Sequence, residues 1–204
     1  MDLNVVLSLI ILIMSVVVHE VAHGHMANYL GDPTARLQGR LTLNPLKHLD
    51  PVGSFAVPLI TWFSGGFVFG WAKPVPYNPY NLQKGRWSEA YVAIAGPLSN
   101  LLLAFVFGLL VRFVPAVFPS SLIGVFALIV LVNIGLAIFN LIPIPPLDGS
   151  KILFALLPPH LAHVRHFLER YGFVVVLFFV LFLWQILTPI VGFLFNLFTG
   201  VTLP

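Results

Sequence analysis

Positions 19–23 read His19-Glu20-Val21-Ala22-His23. On a helix, side chains four positions apart stand on one face, one turn above the other, so both imidazoles can reach a single ion. Neutral imidazole is a good zinc ligand, and hydrolytic zinc sites keep one coordination position for water. Glu20 follows the first histidine directly, close enough to take a proton from such a water. A chain of this composition would produce the pattern by accident with a frequency of about 0.003. There is no cysteine. Thiolate ligation and disulfides are therefore excluded, and any metal must be held by histidine or carboxylate.

Two imidazoles leave a hydrolytic zinc one protein ligand short. Of the seven acids, Asp2, Asp32, Asp50, Glu89 and Glu169 lie outside the apolar runs or at their ends, which leaves Asp148 beside Glu20. Asp148 follows Asn140-Leu141-Ile142-Pro143-Ile144-Pro145-Pro146-Leu147. Three prolines in four positions forbid a continuous helix there. Irregular backbone at membrane depth persists only where it is buried in protein or lines a wet cavity. The alternative for Asp148 is an ordinary turn residue before Gly149. For Glu20 the alternative, a polar group satisfied inside a bundle, is weak. An ionisable side chain beside apolar membrane sequence is costly and marks function by default.

The elements that must hold these residues are membrane helices. Of 204 residues, 59% are hydrophobic and 8% charged, with a mean hydropathy of +0.99. A soluble chain would carry roughly a quarter charged residues, so soluble, disordered and fibrous classes are excluded. Apolar runs from about Leu3 to Leu30, Ser88 to Val114, Leu122 to Leu141 and Gly172 to Val201 each exceed or approach the roughly 20 residues that cross a bilayer. The expected fold is an all-α polytopic membrane protein in one domain, residues 1–204, with a bundle of about 4–6 transmembrane helices. The last run is interrupted at Thr188-Pro189 and reads as one bent span or a short helical hairpin. Pro51 to Trp71 is apolar but carries Pro51, Gly53, Pro58, Gly65, Gly66 and Gly70. With the prolines that follow, it reads as a re-entrant or β-hairpin element over about residues 51–76.

With these motifs in place, the chain resembles the site-2 protease family of intramembrane zinc metalloproteases. The resemblance rests on His19-Glu20-x-x-His23-Gly24 in an apolar helix and on Asn140-x-x-Pro143-x-Pro145-Pro146-Leu147-Asp148-Gly149. Lesser similarities are Gly31-Asp32-Pro33-Thr34-Ala35, His48-x-Asp50-Pro51, Ala72-Lys73-Pro74-Val75-Pro76 and Gly96-Pro97-x-x-Asn100. Together they cover about residues 19 to 150. The resemblance implies one Zn2+ per chain, bound by His19, His23 and Asp148, with Glu20 as the catalytic carboxylate. It implies hydrolysis of peptide bonds in or near transmembrane segments of membrane proteins, in the lipid bilayer. The chain looks like a compact form without a PDZ or CBS module.

Topology follows from the same residues. If 51–71 crossed the membrane, Asp148 would emerge on the face opposite the histidines; if it re-enters, they meet. Re-entry also puts every lysine and arginine except Arg112 on one face, a strong positive-inside bias. The expectation is a multi-pass protein of the cell membrane with its active site toward the cytoplasm. The net charge of +3 is scattered among these loops and is a topology signal, with no nucleic-acid partner implied. Asn133 and Asn140, seven apart on one helical face, could orient substrate or brace Asp148, and interhelical hydrogen bonding explains them equally well. A strand near Phe67–Trp71 could hold an unwound substrate by strand addition. His25 reads as a boundary residue, and His160, His163 and His166 as part of an interfacial helix. The competing functions are a membrane metal-ion transporter, which would spread acids over several helices, and a catalytically inactive membrane scaffold.

Overall fold

The computed structural model describes residues 3–50, 53, 60, 73–83, 85–115 and 117–202, with backbone only at 3, 4 and 179–184. In hydrocarbon every backbone N–H and C=O must be satisfied within the segment, and the apolar runs accordingly form helices. In chain order these are α1 (Leu3–Tyr29), α2 (Thr34–Leu37), α3 (Ser88–Phe113), α4 (Ser120–Asn140), α5 (Gly149–Leu156) and α6 (Ala162–Thr199). Among the described residues there is no strand, and three stretches are long and apolar enough to cross a membrane: Val5–Tyr29, Gly85–Phe113 and Ser120–Asn140. The all-α membrane fold is as expected.

The last apolar run is one helix. α6 continues for 38 residues through Thr188 and Pro189, so the hairpin reading is excluded. At 1.5 Å per residue it is roughly 57 Å long, well over the ~30 Å hydrocarbon thickness. Its start carries His163, Arg165, His166, Glu169 and Arg170, which suit water rather than lipid.

α3 is the central element, packing against α1, α4, α5 and α6. Its buried residues are mostly small: Ala90, Ala93, Ala95, Gly96, Ala104 and Gly108. Small side chains let backbones approach where lipid offers no hydrophobic drive for association. At Gly108 a Cβ would stand 2.7 Å from the Cβ of Phe198 and 3.2 Å from its carbonyl carbon. Beside this crossing, Ala104, Val130, Ile134 and Phe195 form the buried apolar core shared by α3, α4 and α6.

The flanks of residues 51–72 are held at one end of the bundle. The Lys73 N–H donates to the His48 carbonyl at 2.8 Å, and the Gln83 N–H to the Leu30 carbonyl at 3.0 Å. Buried Arg40 donates to the carbonyls of Lys73 (2.8 Å) and Pro74 (3.2 Å). A single crossing would have left these flanks about 30 Å apart. The form of the 51–72 element, including the strand expected near Phe67–Trp71, lies outside the described residues. Residues 73–76, at its edge, are irregular.

Asp32 ties this end together. Fully buried, its Oδ1 accepts from the Thr34 hydroxyl (2.6 Å), the Thr34 N–H (3.2 Å) and the Asn81 amide (2.8 Å), and its Oδ2 from the Asn78 N–H (2.7 Å). Burial alone would raise its pKa. The four donors outweigh burial and hold the carboxyl below the usual carboxylate value. Asp32→Asn turns one acceptor into a donor facing donors and should cost about 1–3 kcal/mol, read as a lower melting temperature in detergent. Because the native pKa is depressed, the carboxylate's contribution is fully present above the unfolded value of about 3.9 and is lost as pH falls through the native one. The gap between wild type and Asp32→Asn should therefore narrow at the acid end of a pH series of melts; a constant gap would refute the assignment.

Candidate metal centre

α1 presents His19 and His23 on one face by its own periodicity. Asp148 is returned to them by the turn between α4 and α5. There Ile144 N–H bonds to the Ile142 carbonyl (2.8 Å), Leu147 N–H to the Ile144 carbonyl (3.0 Å), and the Ser150 hydroxyl to the Leu147 carbonyl (2.7 Å). Ile142 and Leu147 are buried against Leu187 of α6, which seats the turn in the bundle. Gly149 allows it to close, since a side chain there would strike the carbonyls of Leu141 and Ile142.

His19 Nε2 and His23 Nε2 stand 3.0 Å apart. Asp148 Oδ2 lies 3.0 Å from the first and 3.2 Å from the second. Behind the rings, His19 Nδ1 donates to Asn100 Oδ1 at 2.6 Å and His23 Nδ1 to the Val92 carbonyl at 2.7 Å. In neutral rings, protons at both Nδ1 atoms leave both Nε2 atoms as lone pairs. Asp148 Oδ2 is buried and accepts no hydrogen bond. Three electron-pair donors thus face one another with no proton among them, a donor set that a divalent cation neutralises. Their spacing fits zinc: bonds of 2.0–2.1 Å in a tetrahedron put neighbouring ligands about 3.3 Å apart. Among the described residues, this is the one cluster of three such side chains.

Gly96 backs the site. A Cβ at this position would lie 2.5 Å from His23 Nε2 and 2.6 Å from His19 Nε2. The glycine therefore gives the imidazoles their room on the α3 side.

In front of the triad lies a cavity of about 280 Å³, lined among others by Glu20, Tyr77, Asn140 and Lys151. Glu20 is half-buried, and its Oε2 accepts the Val75 N–H at 2.7 Å. Burial first, then the negative charge of Glu89 and Asp148, pushes the Tyr77 hydroxyl up to about 12, so it stays a neutral donor at physiological pH. Lys151, one turn after Asp148, pairs with Glu89 at 3.4 Å.

His19, Glu20, His23, Asp148 and Asn140 are brought together at this cavity. Asn133 is not. It is fully buried, donates to the Ser15 hydroxyl and the Ile129 carbonyl at 2.9 Å each, and accepts from Asn100 at 2.8 Å, which is the interhelical reading. His25, His160, His163 and His166 are exposed and apart from the triad. The sequence offered Asn100 and Val75 only within stretches that carry the resemblance, with no role attached, and did not point to Tyr77 or Lys151. For Asn100 the signal was available: an amide four residues beyond Gly96 in an otherwise apolar helix needs a buried partner. Gly96→Ala should push both imidazoles aside and weaken zinc binding 10–100-fold, the scale seen when ligand support is lost. Metal content after dialysis against a chelator measures it, and retention equal to wild type would refute this role for Gly96.

Comparison with known proteins agrees with this chemistry. A family model described as Peptidase family M50 matches residues 7–122 and 111–183. The candidate zinc metalloprotease YwhC of Bacillus subtilis is 40% identical over 210 residues, covering 96% of this chain and 92% of that one. The candidate zinc metalloprotease Rip2 of Mycolicibacterium smegmatis is 33% identical over 172 residues, 80% of this chain and 62% of that relative. No solved structure matches the chain. With two clustered imidazoles, a carboxylate and a membrane bundle behind that similarity, the chain belongs to peptidase family M50, the site-2 protease family, and is a zinc metalloprotease of the membrane.

Proposed function

We propose that this metalloprotease is an intramembrane endopeptidase that cleaves membrane proteins in or near their transmembrane segments. The observation that carries this is depth. His23 and His19 lie six and ten residues before the Tyr29 end of α1, roughly 9 and 15 Å down the helix, and α1, α3 and α4 all contribute to the cavity beside them. In this reading His19, His23 and Asp148 hold the zinc, and Glu20 is the catalytic carboxylate. When bound, the metal supplies Lewis-acid polarisation of the scissile carbonyl and a more acidic water.

The chain's own groups do the rest. Glu20 takes the proton from the attacking water and delivers it to the amide nitrogen as the C–N bond breaks. The Val75 N–H fixes one carboxylate oxygen, so the carboxylate is oriented before substrate arrives. Asn140 lines the cavity with its amide nitrogen bonded to the Leu136 carbonyl at 3.0 Å, and in this reading its Oδ1 accepts from the substrate backbone. A substrate helix must unwind locally, since its amides are otherwise closed in hydrogen bonds. The basic residues flanking the cavity end support the cytoplasmic side of the cell membrane as the active face. A metal-ion transporter is disfavoured because, among the described residues, potential ligands gather at one centre instead of along a path.

Purified protein assayed with a transmembrane peptide tests this. Glu20→Gln should retain stoichiometric zinc and lose cleavage by at least 10²-fold, the usual scale for removing a general base. Persistent cleavage would remove Glu20 from the mechanism. Cleavage confined to soluble peptides would refute the intramembrane substrate.

A further inference from the structure

His19 and His23 are supported differently. His23 donates to a backbone carbonyl, which can only accept. His19 donates to a side-chain amide, whose two ends are interchangeable by rotation. Something must fix which end of Asn100 faces the imidazole.

The polar chain behind it does so. Asn100 Nδ2 donates to the Ser15 carbonyl at 3.2 Å and to Asn133 Oδ1 at 2.8 Å. Asn133 Nδ2 in turn donates to the Ile129 carbonyl and the Ser15 hydroxyl, at 2.9 Å each. The carbonyls of Ser15 and Ile129 accept and never donate. The Ile129 carbonyl therefore holds Asn133 with its amide nitrogen toward it and its oxygen toward Asn100. Facing that oxygen and the Ser15 carbonyl, Asn100 must present its nitrogen, which leaves Oδ1 for His19. An oxygen there requires a proton on His19 Nδ1, which in the neutral imidazole leaves the lone pair on Nε2. Ser15, Asn100 and Asn133 are all buried, at 4%, 0% and 0% exposure, so no solvent competes for these bonds.

We infer that Asn100, oriented by Asn133 and Ser15, is a positioning residue that selects the metal-binding tautomer of His19. α1, α3 and α4 each contribute one side chain to it. The metal-binding tautomer of His19 is thus favoured when the three helices are packed. This deepens the zinc-site reading of His19, His23 and Asp148 and rests on it.

The test uses the full chain in detergent. Zinc affinity is measured by competition with a chromophoric chelator, and the His19 tautomer by ¹⁵N-histidine NMR of the metal-free protein, its signal assigned by loss in His19→Gln. Wild type should show His19 protonated at Nδ1. Asn100→Ala should release that preference and weaken zinc binding 10–100-fold with helix content unchanged by circular dichroism. Asn100→Asp restores an acceptor to Nδ1 and should recover tautomer and affinity to within a few-fold, at a lower melting temperature because the Ser15 and Asn133 bonds are lost. Asn133→Ala leaves Asn100 in place and should give a mixed tautomer and an intermediate affinity, which carries the test if the Asn100 variants do not fold. Wild-type tautomer and affinity in Asn100→Ala would overturn the inference, and so would Asn100→Asp binding as weakly as Asn100→Ala. Wild type that holds the Nδ1 proton yet binds no zinc would overturn the metal-site reading, and this inference with it.

Discussion

Two imidazole nitrogens and a carboxylate oxygen stand mutually within 3.2 Å, and with both rings neutral and protonated at Nδ1 they repel one another unless a cation sits among them. In a bilayer interior that repulsion is little screened. The fold can hold such a set only by over-determining each member. α1 supplies two donors through its own periodicity, a proline-braced turn supplies the third, and hydrogen bonds from behind stop either ring from turning away. The donor set is thus built into the helix packing and into the turn that the packing seats.

α3 has a double role in this. Its small residues allow four other helices to reach it. The same economy of side chain at Gly96 keeps the space at the imidazoles open. A larger residue along most of this face would cost packing; at Gly96 it would also cost ligand geometry. One helix therefore serves as keel of the bundle and as back wall of the reactive centre, so stability and activity cannot be tuned separately along it.

Much of the site was legible because its signals are local. The four-residue spacing of His19 and His23 reports a shared helix face, and the prolines from Pro143 to Pro146 report a break that can only sit in a protected place. Asp148 could be picked by elimination because acids in apolar sequence are so few. The partners Asn100, Val75 and Tyr77 are long-range. They meet α1 from more than fifty residues away, and neither composition nor period carries that information. Asn133 and Asn140 share a helix face, yet packing separates them: one faces Ser15 and Asn100, the other the cavity. Pro189 left one span and a hairpin equally open. Proline weakens a helix in water, whereas in a membrane bundle neighbouring groups can satisfy the freed carbonyl, so α6 runs on.

The bond from Lys73 to His48, with Arg40 clasping Lys73 and Pro74, makes a closed ring of the intervening chain. The entropy of closing a ring grows only logarithmically with its size, about 0.6 kcal/mol per doubling. Since the clasp also fixes Val75, and Val75 fixes Glu20, the ring can be enlarged or rebuilt in evolution while the carboxylate keeps its aim. A change in the length of that stretch therefore reaches Glu20 only if it first breaks the clasp.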